Sequence, residues 1–96
     1  GINKEYRHAD IGISIHPNFH SKGIGTKAIK MLVQYGFDTI NLHRIGAGYV
    51  EGNEASKKVQ EKAGLTEEGR QREYKFVDGE WKDIIRMSIL EDEFYE

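Results

Sequence analysis

The sequence contains no cysteine, which excludes disulfides, thiolate metal sites and a cysteine nucleophile. A chain without cysteine fits a reducing, cytoplasmic setting, although it is also compatible with export. No apolar run approaches the roughly 20 residues that span a bilayer, and the opening residues carry no signal-peptide pattern. We therefore expect a cytoplasmic protein with no membrane partner.

Acidic residues are absent from the stretch between Asp10 and Asp38, which contains Lys22, Lys27 and Lys30. The whole chain of 96 residues carries a net charge of -2, so charge gives no case for nucleic acid as a partner. With 38% hydrophobic and 31% charged residues, the composition fits one small globular domain. A local anion site is therefore compatible with an otherwise acidic protein.

The first half of the sequence predicts a strand followed by a helix. No regular pattern precedes Ile11, but isoleucines then alternate with smaller or polar residues from Ile11 to His16, a period of two that ends at Pro17. From Gly23 the spacing becomes helical. The apolar stripe of this helix is predicted to comprise Ile24, Ala28, Leu32 and Tyr35, widened by Ile29, Val33 and Phe37.

The second half predicts a strand, a helix and a hairpin. Arg44–Val50 has the composition of a strand, and its two glycines at 46 and 48 suggest that some group approaches the backbone closely. Asn53 is suited to cap a short helix that Gly64 closes. The hairpin is predicted as residues 72–77, a turn at 78–79 and residues 81–90.

This order of elements predicts an α/β fold with a mixed sheet. A helix between the first two strands makes them parallel neighbours through a right-handed crossover, whereas the two hairpin strands are antiparallel. The hairpin aromatics Tyr74, Phe76 and Trp81 are expected to line the core or the wall of an acceptor pocket. The terminal EDEFYE is expected to be a solvated end.

The turn HPNFHSKGIGTKAIK, residues 16–30, has the features of an anion site. Backbone N–H groups at a helix start lack partners, and glycines let phosphate approach them closely. A simple chain reversal would also explain GIG. The dinucleotide fingerprint GxGxxA fits less well, because Pro17 to Lys22 intervene and the following strand carries His43 and Arg44 instead of an acid.

Three motifs in order resemble the second half of a GNAT-superfamily acetyltransferase, in the branch that acetylates ribosomal-protein N-termini and spermidine. They are IGISIHP-x4-KGIGTKA, the Leu42–Leu65 segment LHRI-x7-N-x2-S-x2-V-x-EKAGL, and EEGRQREY followed by VDGEWKDIIRMSIL. The resemblance implies that residues 1–96 form a single domain, the acetyl-CoA-binding half of an acyl-CoA N-acyltransferase fold.

The resemblance also implies a set of coenzyme-binding residues. Backbone near Ile13 and Ile15 would pair with the pantetheine arm, and Asn53 would hydrogen-bond that arm, although an N-cap alone also explains an asparagine there. Ser56 would assist departure of the thiolate, with a solvated serine at a helix start as the alternative. The pyrophosphate would be held by N–H groups around Lys22, Gly23, Ile24, Gly25 and Thr26.

Two residues depart from the family pattern. His20 stands where relatives usually have Gln or Arg, and Gln60 stands where many have a tyrosine that protonates the thiolate. The general base is not identified by any motif, although Asp10 and His16 lie near the relevant strand. The four histidines have no convincing metal-ligand spacing, so no metal is expected.

The resemblance predicts an acetyl-CoA-dependent N-acetyltransferase that transfers acetyl to a primary amine by direct attack. The acceptor would be a small molecule or a protein N-terminal amine. The alternative is a non-catalytic CoA-binding or self-assembling module built from a truncated acetyltransferase fold. Family members carry further strands and helices before this region, so we expect either a fragment or a homo-oligomer formed through the exposed edge strand.

Overall fold

The computed structural model describes residues 2–11 and 24–96. The described residues form a five-stranded mixed sheet in the order β1-β2-β3-β5-β4, with two helices packed on one face. This arrangement confirms the predicted α/β class and element order. The elements are β1 (Ile2–Asn3), β2 (His8–Asp10), α1 (Ile24–Asp38), β3 (Arg44–Val50), α2 (Glu54–Lys62), β4 (Thr66–Val77), β5 (Glu80–Leu90) and α3 (Glu91–Phe94).

Strand β3 is the centre of the sheet and has the predicted bounds. It pairs parallel with β2 and antiparallel with β5. Its side chains alternate, so that one set enters the apolar core beneath the helices while Arg44 and the two glycines belong to the other set. The core residues of β3 are Ile45, Ala47 and Tyr49, which are at most 5% exposed.

Helix α1 buries a narrower stripe than its sequence predicts. Ile29, Val33 and Phe37 are at most 3% exposed, as expected for a face turned to the sheet. By contrast Leu32 and Tyr35 are 52% and 55% exposed, so the stripe predicted through them is wrong. Apolar spacing alone does not distinguish the centre of a packed face from its flank.

The first strand starts earlier than predicted. His8–Asp10 forms β2, and the two-residue strand β1 pairs with it antiparallel, so residues 2–10 are not irregular. Ile11 follows β2 and donates its N–H to Gly46 O at 2.8 Å. The rest of the predicted strand, residues 12–16, lies outside the described residues. Within the described part, β1 is the sheet edge on this side, because β2 is paired on both sides.

Helix α2 begins and ends as its sequence predicts. Asn53 Oδ1 accepts a hydrogen bond from Ser56 N–H at 3.1 Å. At the other end, Gly64 adopts a φ of +99° and donates to Glu61 O, while Leu65 donates to Gln60 O. These two bonds form a Schellman motif, which satisfies carbonyls that the last helical turn leaves without partners.

The hairpin is longer than predicted because its first strand begins at Thr66. Charged residues and two bulges along β4 hide the strand signal in the sequence. The turn is correct, since Asp78 and Gly79 have φ of 51° and 80°, as a tight hairpin turn requires. The expectation of a core role for the aromatics is wrong: Tyr74, Phe76 and Trp81 are 58–63% exposed.

The acidic C-terminal segment is not a purely solvated end. Glu91 accepts hydrogen bonds from Arg7, and Phe94 packs against Phe37 with ring centroids 5.0 Å apart. Tyr95 donates its hydroxyl to Asp38, and this bond raises the pKa of Tyr95 to about 12. The segment thus fastens the end of β5 to the C-terminal end of α1. Among the described helices, none is long and apolar enough to cross a membrane.

We predict that Gly64→Ala destabilises the protein by about 1–2 kcal/mol, the cost of a left-handed backbone for a residue with Cβ. The added Cβ would also lie 3.2 Å from Ile89 Cδ1. Gly69→Ala is the matched control, since a Cβ there meets nothing within 4 Å. Urea unfolding measures both, and equal stabilities for the two variants would contradict this account of the helix end.

Candidate functional site

The first turn of α1 has backbone N–H groups without partners inside the helix, and it contains no acidic residue. The helix begins at Ile24, so the N–H groups of Ile24, Gly25 and Thr26 have no carbonyl partner within the helix itself. Its first turn contains no acidic residue. Gly25 is buried and Thr26 is half-buried. This end of the helix therefore has the electrostatic character that favours an anion.

A buried polar pair lies on the face of α2 that is turned to β3. Ser56 and Gln60 are each 1% exposed. Gln60 Nε2 donates to Gly48 O at 2.7 Å and to Ser56 Oγ at 3.1 Å. The spacing of four residues places both side chains on one side of the helix.

The carbonyl that Gln60 binds lies on the β2 side of β3. The carbonyls of Gly46 and Gly48 point to the same side, because backbone orientation repeats every two residues. Gly46 O accepts from Ile11 N–H, as in a continuing sheet, whereas Gly48 O accepts from a helix side chain. The Ser56–Gln60 pair therefore lies beside the edge of β3 that faces β2.

The hydrogen bond to Gly48 O determines how the Gln60 amide is oriented. A carbonyl can only accept, so the nitrogen of the amide must face it. Gln60 Oε1 is then left buried, with no hydrogen-bond partner among the described residues. A buried acceptor without a partner costs about 1–3 kcal/mol, so a donor from a ligand or water would be favourable here.

On the face of the sheet away from the helices, Arg44 binds Glu68 through two bonds of 2.6 Å. This contact, with smaller contributions from other neighbours, lowers the pKa of Glu68 to about 2. Arg86 binds Asp10 at 2.7 Å. A Cβ at Gly46 would come within 2.7 Å of Asp10 Oδ1. The sequence predicted that some group approaches the backbone at Gly46. That group is the Asp10 carboxylate, which is paired with Arg86.

A shallow apolar groove of about 310 Å³ lies between α1 and the strands β1 and β2. Its lining includes Leu32 and Tyr35 from α1, Ile2 from β1, and Ile11 and Ile40. Its lining provides little to hold phosphate. Within residues 2–11 and 24–96, no group of three or more His, Asp or Glu side chains could hold a metal ion.

The described residues bring together only part of the predicted site. Asn53 and Ser56 meet at the start of α2, and Ser56 is buried, so the alternative of a solvated serine is wrong. Asp10, a candidate base, is engaged by Arg86. The backbone of Ile24, with Gly25 and Thr26, forms the start of α1. The predicted residues Ile13, Ile15, Lys22 and Gly23, together with His16 and His20, lie outside the described residues.

The sequence interpretation missed Gln60 as a member of the site. It treated this residue only as a departure from a family pattern. The signal was present, because Ser56, Val59, Gln60 and Ala63 recur at helical spacing and all four are buried. A polar pair within such a stripe needs internal hydrogen bonds.

The sequence model of the acetyltransferase (GNAT) domain matches residues 1–66. The chain therefore belongs to the GNAT acetyltransferase family, as its motifs predicted. Spermidine N(1)-acetyltransferase of Escherichia coli K12 is 31% identical over 93 residues, which are 97% of this chain and 50% of that protein. The Bacillus subtilis protein YdaF, named as a candidate ribosomal N-acetyltransferase, is 38% identical over 92% of this chain and 48% of its own length.

Solved structures agree with this assignment. Spermidine N-acetyltransferase from Vibrio cholerae in complex with CoA and spermine superposes with a TM-score of 0.87 at 32% identity, covering 99% of this chain and 56% of that one. A dodecameric structure of the same Vibrio enzyme gives a TM-score of 0.86 at 32% identity, covering 97% and 54%. The chain thus spans about half the length of the relatives it matches.

We predict that Glu68→Gln lowers the free energy of unfolding at pH 7 by about 1 kcal/mol, since solvent screens a pair that is about a third exposed. The pKa of Glu68 is lowered from its ordinary value of 4.5 to about 2. Its contribution is therefore present above pH 4.5 and is lost as the pH falls toward 2.

Urea unfolding across that pH range measures the difference between Glu68→Gln and the parent. The neighbouring Glu67→Gln is the control for removal of one negative charge from the same strand. A penalty for Glu68→Gln that is the same at pH 7 and near pH 3 would contradict the ion-pair assignment.

Proposed function

We propose that this chain is the coenzyme-binding half of an acetyl-CoA-dependent N-acetyltransferase. The observation that carries the proposal is the occurrence of two polar features in one fold: the acid-free first turn of α1, and the buried Ser56–Gln60 pair beside Gly48, in which Gln60 Oε1 has no hydrogen-bond partner among the described residues. Membership of the GNAT family supports it. The proposed activity is cytoplasmic.

The residues of this chain suit the parts of acetyl-CoA in a definite way. Backbone N–H groups from Lys22 to Thr26 would hold the pyrophosphate at the positive end of the helix dipole. Backbone at Ile13 and Ile15 would pair with the pantetheine arm. Asn53 Oδ1 already caps α2, and its Nδ2 group would donate to a pantetheine carbonyl. Gln60 Oε1, which is buried and has no hydrogen-bond partner in the described part of the chain, would accept from an amide N–H of the same arm.

The chemistry requires a neutral amine and a stabilised leaving group. Acetyl-CoA supplies an activated acetyl thioester. An alkylamine with a pKa of about 10.4 is mostly protonated at pH 7, so a base or water must first remove a proton. Ser56 would hydrogen-bond the departing sulfur. A backbone N–H near Ile15 would donate to the oxyanion.

The acceptor is proposed to be a primary amine, either a polyamine or a protein N-terminal amine. The names of the relatives point to both classes, spermidine for the Escherichia coli enzyme and ribosomal protein for the Bacillus subtilis one. The relatives are about twice as long. We therefore propose that protein outside residues 1–96 supplies the acceptor side and covers the apolar groove beside β1. We also propose that the chain self-associates at this edge, since a Vibrio relative forms a dodecamer.

Calorimetric titration with CoA tests the coenzyme site. We predict saturable binding with a dissociation constant of ~1 mM or below. Thr26→Glu should weaken it about tenfold by repelling phosphate, without loss of stability, because a glutamate in the first turn of a helix is favoured by the dipole. Thr39→Glu adds the same charge about 20 Å away, beyond the other end of α1, and should bind like the parent.

An absence of heat with the parent chain up to millimolar CoA would contradict the proposal. Equal weakening by Thr26→Glu and Thr39→Glu would show that net charge, and not the start of α1, controls affinity. Acetylation assays with spermidine and with N-terminal peptides distinguish the acceptors. Tight CoA binding with no turnover on either amine would favour the non-catalytic module.

A further inference from the structure

We propose that Gln60 is a positioning residue that holds the Ser56 hydroxyl as a hydrogen-bond donor toward the sulfur of the coenzyme. This inference rests on the proposed function and assigns a role to a residue outside the family pattern. It follows from which atoms donate and which accept in one buried network. No contact of Gln60 with the reacting atoms is required.

The first step is the direction of the bond between the two side chains. Gln60 Nε2 faces Gly48 O, because a carbonyl accepts only from a donor. The same nitrogen lies 3.1 Å from Ser56 Oγ. Its second hydrogen is therefore donated to the serine oxygen. Ser56 Oγ is the acceptor in this bond. If the Gln60 amide were rotated by half a turn, Gln60 Oε1 would face Gly48 O, and neither oxygen could donate.

The second step is the remaining hydrogen of the hydroxyl. A hydroxyl has one hydrogen to donate and two lone pairs. The bond from Gln60 uses a lone pair and leaves the hydrogen for another acceptor. Among the described residues, this accepted bond is the one side-chain hydrogen bond of Ser56 Oγ. With Ser56 1% exposed, bulk water does not reach this hydroxyl, so its hydrogen must find an acceptor in the protein or in a ligand.

The third step is location. Gly48 O lies on the edge of β3 that faces β2. It is two residues beyond Gly46 O, which accepts from Ile11 N–H. Gln60 Nε2, from helix α2, donates to this carbonyl. The coenzyme arm is proposed to enter beside this carbonyl, so an acceptor atom arriving there would meet the Ser56 hydrogen. A thiolate is such an acceptor.

In the reaction, the amine nitrogen forms a bond to the acetyl carbon and the carbon–sulfur bond breaks with its electron pair on sulfur. The nitrogen loses the proton that balances the formation of CoA thiol. Ser56 keeps its own proton and stabilises the sulfur through a hydrogen bond. Gln60 contributes because its N–H group binds a lone pair of the Ser56 oxygen. This bond keeps the Ser56 hydroxyl hydrogen directed toward the sulfur.

The test measures the thiol of bound CoA, without turnover. A donor to the thiolate favours the charged form, so the thiol pKa of CoA bound to the parent should lie about one unit below that of free CoA. Ultraviolet absorbance of the thiolate across a pH series reports it. Ser56→Ala should return this pKa to the value of free CoA.

Variants of Gln60 separate positioning from simple anchoring. Gln60→Leu removes the donor without adding a charge beside the thiolate, and should raise the bound thiol pKa part of the way toward its value in Ser56→Ala. Gln60→Met removes the donor at similar volume and should raise it in part. The double variant Ser56→Ala/Gln60→Met should match Ser56→Ala alone, since Gln60 acts through Ser56.

Glu61→Gln, on an exposed neighbouring position of α2, is the control and should leave the thiol pKa unchanged. Circular dichroism identifies any variant that does not fold. If one Gln60 variant does not fold, the bound thiol pKa of the other Gln60 variant tests the proposal. If Gln60 variants lower stability or CoA affinity while the thiol pKa stays at the parent value, this inference is overturned and the proposed function stands. If the parent does not bind CoA, both are overturned.

Discussion

A single hydrogen bond from Gln60 to the carbonyl of Gly48 connects helix α2 to the central strand and decides what the groups around it can do. Because a carbonyl can only accept, this bond orients the whole amide. It leaves Oε1 buried without a partner among the described residues and directs a second N–H at Ser56. The polarity of the network follows from this constraint, and burial makes each of its bonds costly to break.

The pairing of β3 with β2 determines the surroundings of Gly48 within the sheet. Strand β3 pairs with β2 through Arg44–Gly46, and Ile11 extends this pairing by one further bond. At Gly48 the carbonyl is bound by a helix side chain. The two helices meanwhile share one apolar core against Ile45 and Ala47. The fold thus brings the starts of both helices toward the same face of the sheet, while ion pairs occupy the opposite face.

Much of the fold was readable from the sequence because its signals are local. The bounds of β3, the Asn53 cap, the glycine stop at Gly64 and the Asp78–Gly79 turn each depend on a few neighbouring residues. The beginning of β4 was not readable, since bulges interrupt its alternation. Nor was the exposure of Leu32, because burial on the flank of a helix depends on which elements lie beside it.

The candidate site was predicted less completely for a physical reason. Motifs identify residue types at fixed spacings, but a hydrogen-bond network between Gln60, Ser56 and Gly48 depends on how α2 is seated on β3. The acidic tail illustrates the same limit, because Glu91 and Tyr95 bind partners 84 and 57 positions away in the chain. Such long-range polar contacts leave no periodic trace in a sequence.

The central claim is that CoA lies across the starts of α1 and α2. Titration of the isotopically labelled chain with CoA, followed by amide NMR spectra, tests it most directly. The account predicts that the largest shifts fall on the backbone N–H groups of residues 22–26 and on the side-chain amide of Gln60. Saturable binding that leaves both sets unmoved, and perturbs β4 or the distal hairpin instead, would contradict it.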